Sequence, residues 1–205
     1  MQTVIVTAFE PFDNHDTNPT EQLLQEIPEF LYNAKVIKVT LPVVYNHVFE
    51  RLLPYIEKHQ PDVILMLGLA AGRPQVNLER IAININDSKT KDNLGNVMIN
   101  TPIKEGADDG LFTTFPLEAI LNRARKKAIP LSISNTAGAY VCNNLMYHTL
   151  HYIKSQELKT LAGFMHIPFL PSQTVSNPSM PSADKAIIFE AIMTTLDTMV
   201  NPVEI

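Results

Sequence analysis

Residues 62–69 read DVILMLGL, an apolar run with no polar residue after Asp62. A strand that faces water on one side alternates apolar with polar residues. A run without alternation needs cover on both faces, as in a parallel sheet between helix layers. Outward from this run, toward the N-terminus, Val44, Val48, Leu52 and Ile56 recur at helical spacing within Val43–His59. Pro54 inside that stretch is expected to kink the helix or end it early. Ala34–Thr40 alternates Val36 and Val39 with lysines and reads as a strand near a sheet edge. A helix opens at Asn18-Pro19-Thr20, runs to about Glu26 and is ended by Pro28. Thr3–Phe9 (TVIVTAF) is a β-branched strand closed by Glu10-Pro11.

Toward the C-terminus, Val76–Ile85 alternates at period two and reads as one strand. The polar stretch Asp87–Gly110 reads as a loop or hairpin excursion. Helices are expected at Phe115–Lys127 and Tyr140–Ser155, and strands at Pro130–Ser134 and Thr160–Pro168. Phe169–Pro181 carries Pro171, Pro178 and Pro181 and forms a long loop. Ser182 would cap the last helix, with Asp184 in its first turn, ending near Val200. Strands alternating with helices define an α/β fold, a mainly parallel twisted sheet between two helix layers (α/β/α). No repeat or linker divides the chain, so residues 1–205 are read as a single domain.

Composition narrows the function. The chain has 205 residues, 45% of them apolar and 18% charged, with a net charge of -5. That balance gives no electrostatic footprint for nucleic acid or an anionic membrane. No apolar run reaches the roughly 18 residues of a spanning helix. The opening MQTVIVTAFEPFDN lacks a basic n-region and reads as a strand rather than a signal peptide. One cysteine cannot form an intrachain disulfide, which points to the cytoplasm. One thiolate also cannot supply the usual cysteine set of a structural zinc or an iron–sulfur cluster. A Walker A loop, G-x-G-x-x-G, G-x-S-x-G and H-E-x-x-H are all absent.

In open α/β sheets ligands bind beyond the carboxyl ends of the strands. That directs attention to Phe9–Thr20, Gly68–Glu79, Asn135–Cys142 and His166–Pro171. Gly68–Arg73 (GLAAGR) reads as a turn after a strand, or as backbone meeting a ligand. Cys142 lies in AGAYVCNN, in the first turn of a helix, where the dipole favours a thiolate. It is either a reactive thiol or a buried inert one. Of the histidines, His47 and His59 read as solvent-facing, and His15 lies in a polar loop. His148 and His151 share a helix face, as a surface pair or as two ligands lacking a third. His148 sits about 240° round the helix from Cys142 and points elsewhere. His166 ends the strand LAGFM at the carboxyl edge, as a base for the thiol or as a satisfied strand end. Glu79 shares a strand face with Ile81, Ile83 and Ile85. It is paired or protonated there, or left in solvent if the strand begins after it.

Four segments together resemble the pyroglutamyl peptidase I (pyrrolidone-carboxylate peptidase) family of cytosolic cysteine exopeptidases. They are VTAFEPFDNHDTNPT (6–20), GLAAGRPQVNLERIAININD (68–87), SNTAGAYVCNNLMYH (134–148) and AGFMHIPFLPSQ (162–173), with Pro-Ser-Met at 178–180. The resemblance implies a single α/β/α domain that removes an N-terminal pyroglutamyl residue from peptides. It implies Cys142 as nucleophile, His166 as general base and acid, and Glu79 as the residue orienting His166. Phe9 and Phe12 would pack the lactam ring and Asn18 would hydrogen-bond it. No metal or organic cofactor is implied, and a homo-oligomer, dimer or tetramer, is. The sequence departs from the family pattern at Ala8, at Asp13-Asn14 where Gly-Gly is usual, at Leu69 for Gln and at Lys89 for Arg. A Leu69 contact through the backbone survives that swap. Lys89 keeps a charge but not a planar donor fork. The alternative reading is a divergent homologue that binds a lactam or peptide N-terminus with little or no turnover.

Overall fold

A computed structural model describes residues 1–12 and 16–201. The Asp13-Asn14 departure and His15 lie outside the described residues. The elements in chain order are β1 (Gln2–Phe9), α1 (Pro19–Glu26), β2 (Phe30–Leu31), β3 (Ala34–Leu41), α2 (His47–His59), β4 (Val63–Leu69), β5 (Val76–Glu79) and β6 (Ile81–Ile83). They continue with β7 (Asn86–Ser88), β8 (Met98–Thr101), β9 (Gly110–Phe112), α3 (Leu117–Lys126), β10 (Leu131–Ser134), α4 (Val141–Ser155), β11 (Leu161–Ile167) and α5 (Lys185–Val200). A seven-stranded sheet runs β10-β5-β11-β4-β1-β3-β2. The apolar run that decides the fold is its central strand, β4, and every residue of it is buried.

Alternate residues of β1 and β4 serve opposite faces. Val4, Val6, Val63, Leu65 and Leu67 pack with Leu23 and Leu24 of α1, Ile120 of α3 and Ile188 and Ile192 of α5. Ile5, Ile64 and Met66 pack with Val48, Leu52 and Ile56 of α2 and with Leu145 and Met146 of α4. The three layers follow from this two-sided burial. Helix α2 continues through Pro54 to His59 rather than ending early, because its face of Val48, Leu52 and Ile56 stays buried on the sheet. It begins later than the spacing suggested, at His47, although Val44 ahead of it is buried all the same. At α5 the cap is Asp184, not Ser182: its carboxylate accepts from the Ala186 N–H at 2.7 Å.

The sheet is mainly parallel, as expected, but the position of Glu79 at its carboxyl edge and the single strand over Val76–Ile85 are corrected. The sheet is parallel across β11-β4-β1-β3, but β5 runs antiparallel to β11, pairing Glu79 with Phe164 and Asn77 with His166. The segment 70–75 between β4 and β5 is too short for a crossover, which takes a dozen residues or more, so the chain turns back. Glu79, the last residue of β5, therefore lies below the carboxyl edge rather than on it. The alternation over Val76–Ile85 is also not one strand. At Arg80 the chain leaves the sheet: its N–H donates to Ser134 O at 2.8 Å and its carbonyl accepts from Thr113 N at 2.9 Å. Beyond it β6 pairs with β9 in a separate two-stranded sheet, and Ala82, not Ile81 or Ile83, enters the core. The excursion after residue 86 contains the β7–β8 hairpin.

Candidate active site

β11 delivers His166, β5 delivers Glu79, and the head of α4 delivers Cys142. His166 Nδ1 and Glu79 Oε1 are 2.7 Å apart, with both side chains almost wholly withdrawn from solvent. Cys142 is the second residue of α4 and packs against Gly68, the β4 residue in register with His166. A Cβ on Gly68 would lie 2.6 Å from Phe164 Cζ and 3.0 Å from Cys142 Sγ. Only glycine lets the thiol and the Phe164 ring close onto the sheet there. That ring in turn lies 4.8 Å from the His166 ring, centroid to centroid.

The electrostatics correct one expectation. Burial opposes the charged carboxylate of Glu79, but hydrogen bonds from His166, Ser134 and Arg73 hold it below the usual range. Burial lowers His166 below its ordinary value, against the partial opposition of Glu79. Burial first, and the Glu79 charge second, push the Cys142 thiol up to about 12. Arg73 and the residue's own N–H at the helix start pull it the other way without prevailing. The helix position therefore does not make a resting thiolate. At neutral pH the site holds a thiol, a neutral imidazole and a carboxylate, and Glu79 fixes the imidazole proton on Nδ1, leaving the Nε2 lone pair available.

Beside Cys142 lies a small cavity of about 40 Å³. Phe9, Phe12, Leu69 and Asn18 line it with Cys142, as do Tyr140, Val43 and Val141, which sequence reasoning did not single out. Asn18 also caps α1: its Oδ1 accepts from Thr20 N at 3.0 Å, and its Nδ2 donates to Glu10 O at 3.0 Å. It thus ties the head of α1 to Glu10 as well as facing the cavity. Lys89 is exposed one residue beyond β7 and does not line the cavity. The cation at the carboxylate is Arg73, whose guanidinium reaches Glu79 Oε1 at 2.6 Å. Its only sequence signal was a lone arginine closing GLAAGR, a segment open to reading as an ordinary turn. His148 is half-buried rather than a surface residue, and stacks on Phe49 with centroids 5.3 Å apart. Among the described residues, no three of His, Cys, Asp and Glu gather as metal ligands, and no helix is long and apolar enough to cross a membrane.

The fold, with a cysteine thiol beside a small cavity, is that of a cysteine hydrolase. Over residues 2–201 the chain matches the pyroglutamyl peptidase family model, and it belongs to that family. Pyrrolidone-carboxylate peptidase 2 of Caldanaerobacter subterraneus subsp. tengcongensis is 40% identical over 198 residues, 97% of this chain and 96% of that one. The pyrrolidone-carboxylate peptidase of Thermococcus onnurineus is 40% identical over 94% of this chain and 97% of its own. Among solved structures, pyroglutamyl peptidase I from Bacillus amyloliquefaciens has a TM-score of 0.93 at 32% identity, covering 100% of this chain and 98% of that one. A mutant pyrrolidone carboxyl peptidase from the hyperthermophile Pyrococcus furiosus has a TM-score of 0.94 at 33% identity, covering 99% and 100%.

Proposed function

We propose that this chain removes an N-terminal pyroglutamyl residue from peptides, with Cys142 as nucleophile, His166 as general base and acid, and Glu79 as the group orienting His166. The observation that carries the reading is the buried 2.7 Å Glu79–His166 contact, facing a strand position where glycine admits the Cys142 thiol. With thiol and imidazole both neutral at rest, His166 Nε2 takes the Sγ proton as sulfur attacks the pyroglutamyl carbonyl, and Glu79 stabilises the imidazolium that forms. His166 then gives that proton to the leaving amine. Next it activates a water to hydrolyse the thioester, which releases pyroglutamate and restores the thiol. N–H groups at the head of α4 suit the developing oxyanion.

Phe9, Phe12 and Leu69 offer apolar walls for the lactam ring, and Asn18 a polar group for its amide. A free N-terminal glutamate would bring an unpaired charge among these walls and is rejected. Lys89, exposed one residue beyond β7, supplies positive charge at longer range. The chain works as one domain, as a cytoplasmic homo-oligomer, dimer or tetramer.

A fluorogenic pyroglutamyl amide tests the reading against the matching prolyl amide. The pyroglutamyl substrate is expected to be preferred by about 10⁴ or more, because proline leaves the polar groups of the pocket unpaired. Cys142→Ala is expected to abolish turnover while the circular dichroism spectrum stays unchanged. One alkylation per chain should remove activity in proportion. Equal rates on the two amides, or sustained hydrolysis by the alanine variant, would overturn it.

A further inference from the structure

Arg73 sits in the short turn between β4 and β5, where Gly72 adopts φ +86° and the chain reverses. An arginine in such a turn ordinarily points into solvent, and an ion pair made there is worth little. This one turns inward, with 28% of its side chain exposed. Nη1 donates to Glu79 Oε1 at 2.6 Å, the same oxygen that His166 Nδ1 meets at 2.7 Å. Nη1 also donates to Asn77 Oδ1 at 3.3 Å, and Nη2 donates to Thr136 O at 2.9 Å. Thr136 belongs to the segment that leaves β10 and leads into α4, the helix carrying Cys142. One guanidinium therefore joins the turn after β4, the carboxylate that holds the imidazole, and the segment that delivers the thiol.

We propose that Arg73 is the positioning residue of this site, its planar fork holding the Glu79 carboxylate on His166 with one arm and the segment before Cys142 with the other. The proposal rests on the triad reading above and adds to it a fourth member that touches no reacting atom. A lysine could supply the charge but not the two-way fork. A buried carboxylate without a second cation would be shared by His166 alone, which favours the imidazolium over the neutral base. The charged and titratable groups that act on His166 are Glu79 from β5 and Arg73 from the turn. The same two act on Cys142, and the Tyr45 phenol ahead of α2 is the other titratable group coupled to that thiol. Arg73 lowers both His166 and Cys142, so its loss raises both.

The test uses two readouts that need no substrate: the titration of the His166 ring by NMR, and the pH dependence of Cys142 alkylation by iodoacetamide. In Arg73→Ala both are expected to move to higher pH, and kcat/KM on a pyroglutamyl amide at neutral pH to fall by about 10- to 100-fold, the scale on which groups that orient a working ligand act in metal sites. Arg73→Lys is expected to hold the His166 titration nearer that of the wild type yet still lower kcat, and it serves if the alanine variant does not fold. A His166 titration and an alkylation profile unchanged in Arg73→Ala would overturn the proposal even if activity fell. So would wild-type kcat in Arg73→Lys. A wild-type protein that leaves pyroglutamyl amides intact would sink the proposed function instead, while the two substrate-free readouts would still decide the role of Arg73.

Discussion

His166 is almost wholly buried and His148 half-buried, and burial lowers both. What differs is the partner. His166 meets a carboxylate at 2.7 Å, and Glu79 draws its pKa back upward. His148 stacks on Phe49, with its Nε2 3.3 Å from the amide oxygen of Asn46. Burial, then Lys104 and His151, lower it to about 4 against weak opposition from Glu50. The first ring carries a carboxylate at Nδ1, as the role of base proposed for it requires. The second is held neutral, one neutral group among Asn46, Asn144 and Asn86, which bridge α4 to the turn before α2 and to the excursion. Depth alone does not make a base; a fixed negative charge at the far nitrogen does.

Replacing each ring breaks the comparison most sharply. His166→Ala is expected to lower kcat/KM on a pyroglutamyl amide by about 10² to 10⁴, the range of general acid–base catalysis. Steady-state kinetics on both alanine variants decides the assignment, since a silent His166→Ala with a damaging His148→Ala would reverse it. Next in size is Glu79→Gln, which keeps the shape of the partner and removes its charge. We expect a loss smaller than that of His166→Ala, about 10- to 100-fold by analogy with other orienting groups. The acid limb of kcat/KM should also move to lower pH, because the anion that raises His166 is gone. A limb that moved upward would contradict the charge argument.

The smallest effect concerns stability. His148→Phe keeps the stack on Phe49 and removes the titration, and kcat/KM should be unchanged. In the unfolded chain His148 takes up a proton near its ordinary 6.5; in the fold it does so at about 4. Between those values the unfolded state binds the extra proton, so the stability is whole above about 6.5 and is lost as pH falls toward 4. Urea midpoints at pH 7 and pH 5 should therefore differ less in His148→Phe than in the wild type. An equal difference in both proteins would remove His148 from the acid dependence.

The legible parts of the chain were those where local pattern and tertiary environment agree. β4 could be read because seven residues without useful polarity have one way to be buried, at the centre of a covered sheet. Cys142, His166 and Glu79 could be singled out because each residue type is conspicuous where it stands: one thiol at a helix start, one histidine at a strand end, one acid on an apolar run. Val76–Ile85 misled for the opposite reason. Its alternation is genuine on either side of Arg80, but the halves belong to different sheets, and period two carries no mark of which partner a strand will find. Arg73 stayed hidden because an arginine in a glycine turn looks the same whether it faces water or a buried carboxylate.

The sequence by itself determined the layering and the helix and strand types, and it singled out the three groups proposed for the site, because hydrophobic period and residue chemistry are written position by position. The tertiary structure alone decided the direction of β5, since strand direction follows from where a short turn can carry the chain. By reversing β5 it set Glu79 beneath His166 and brought the turn before it, with Arg73, over the same carboxylate. It also decided the protonation of the site. The start of α4 is a local feature that favours a thiolate, but the burial that holds Cys142 as a thiol comes from residues far along the chain, and desolvation there outweighs the helix end.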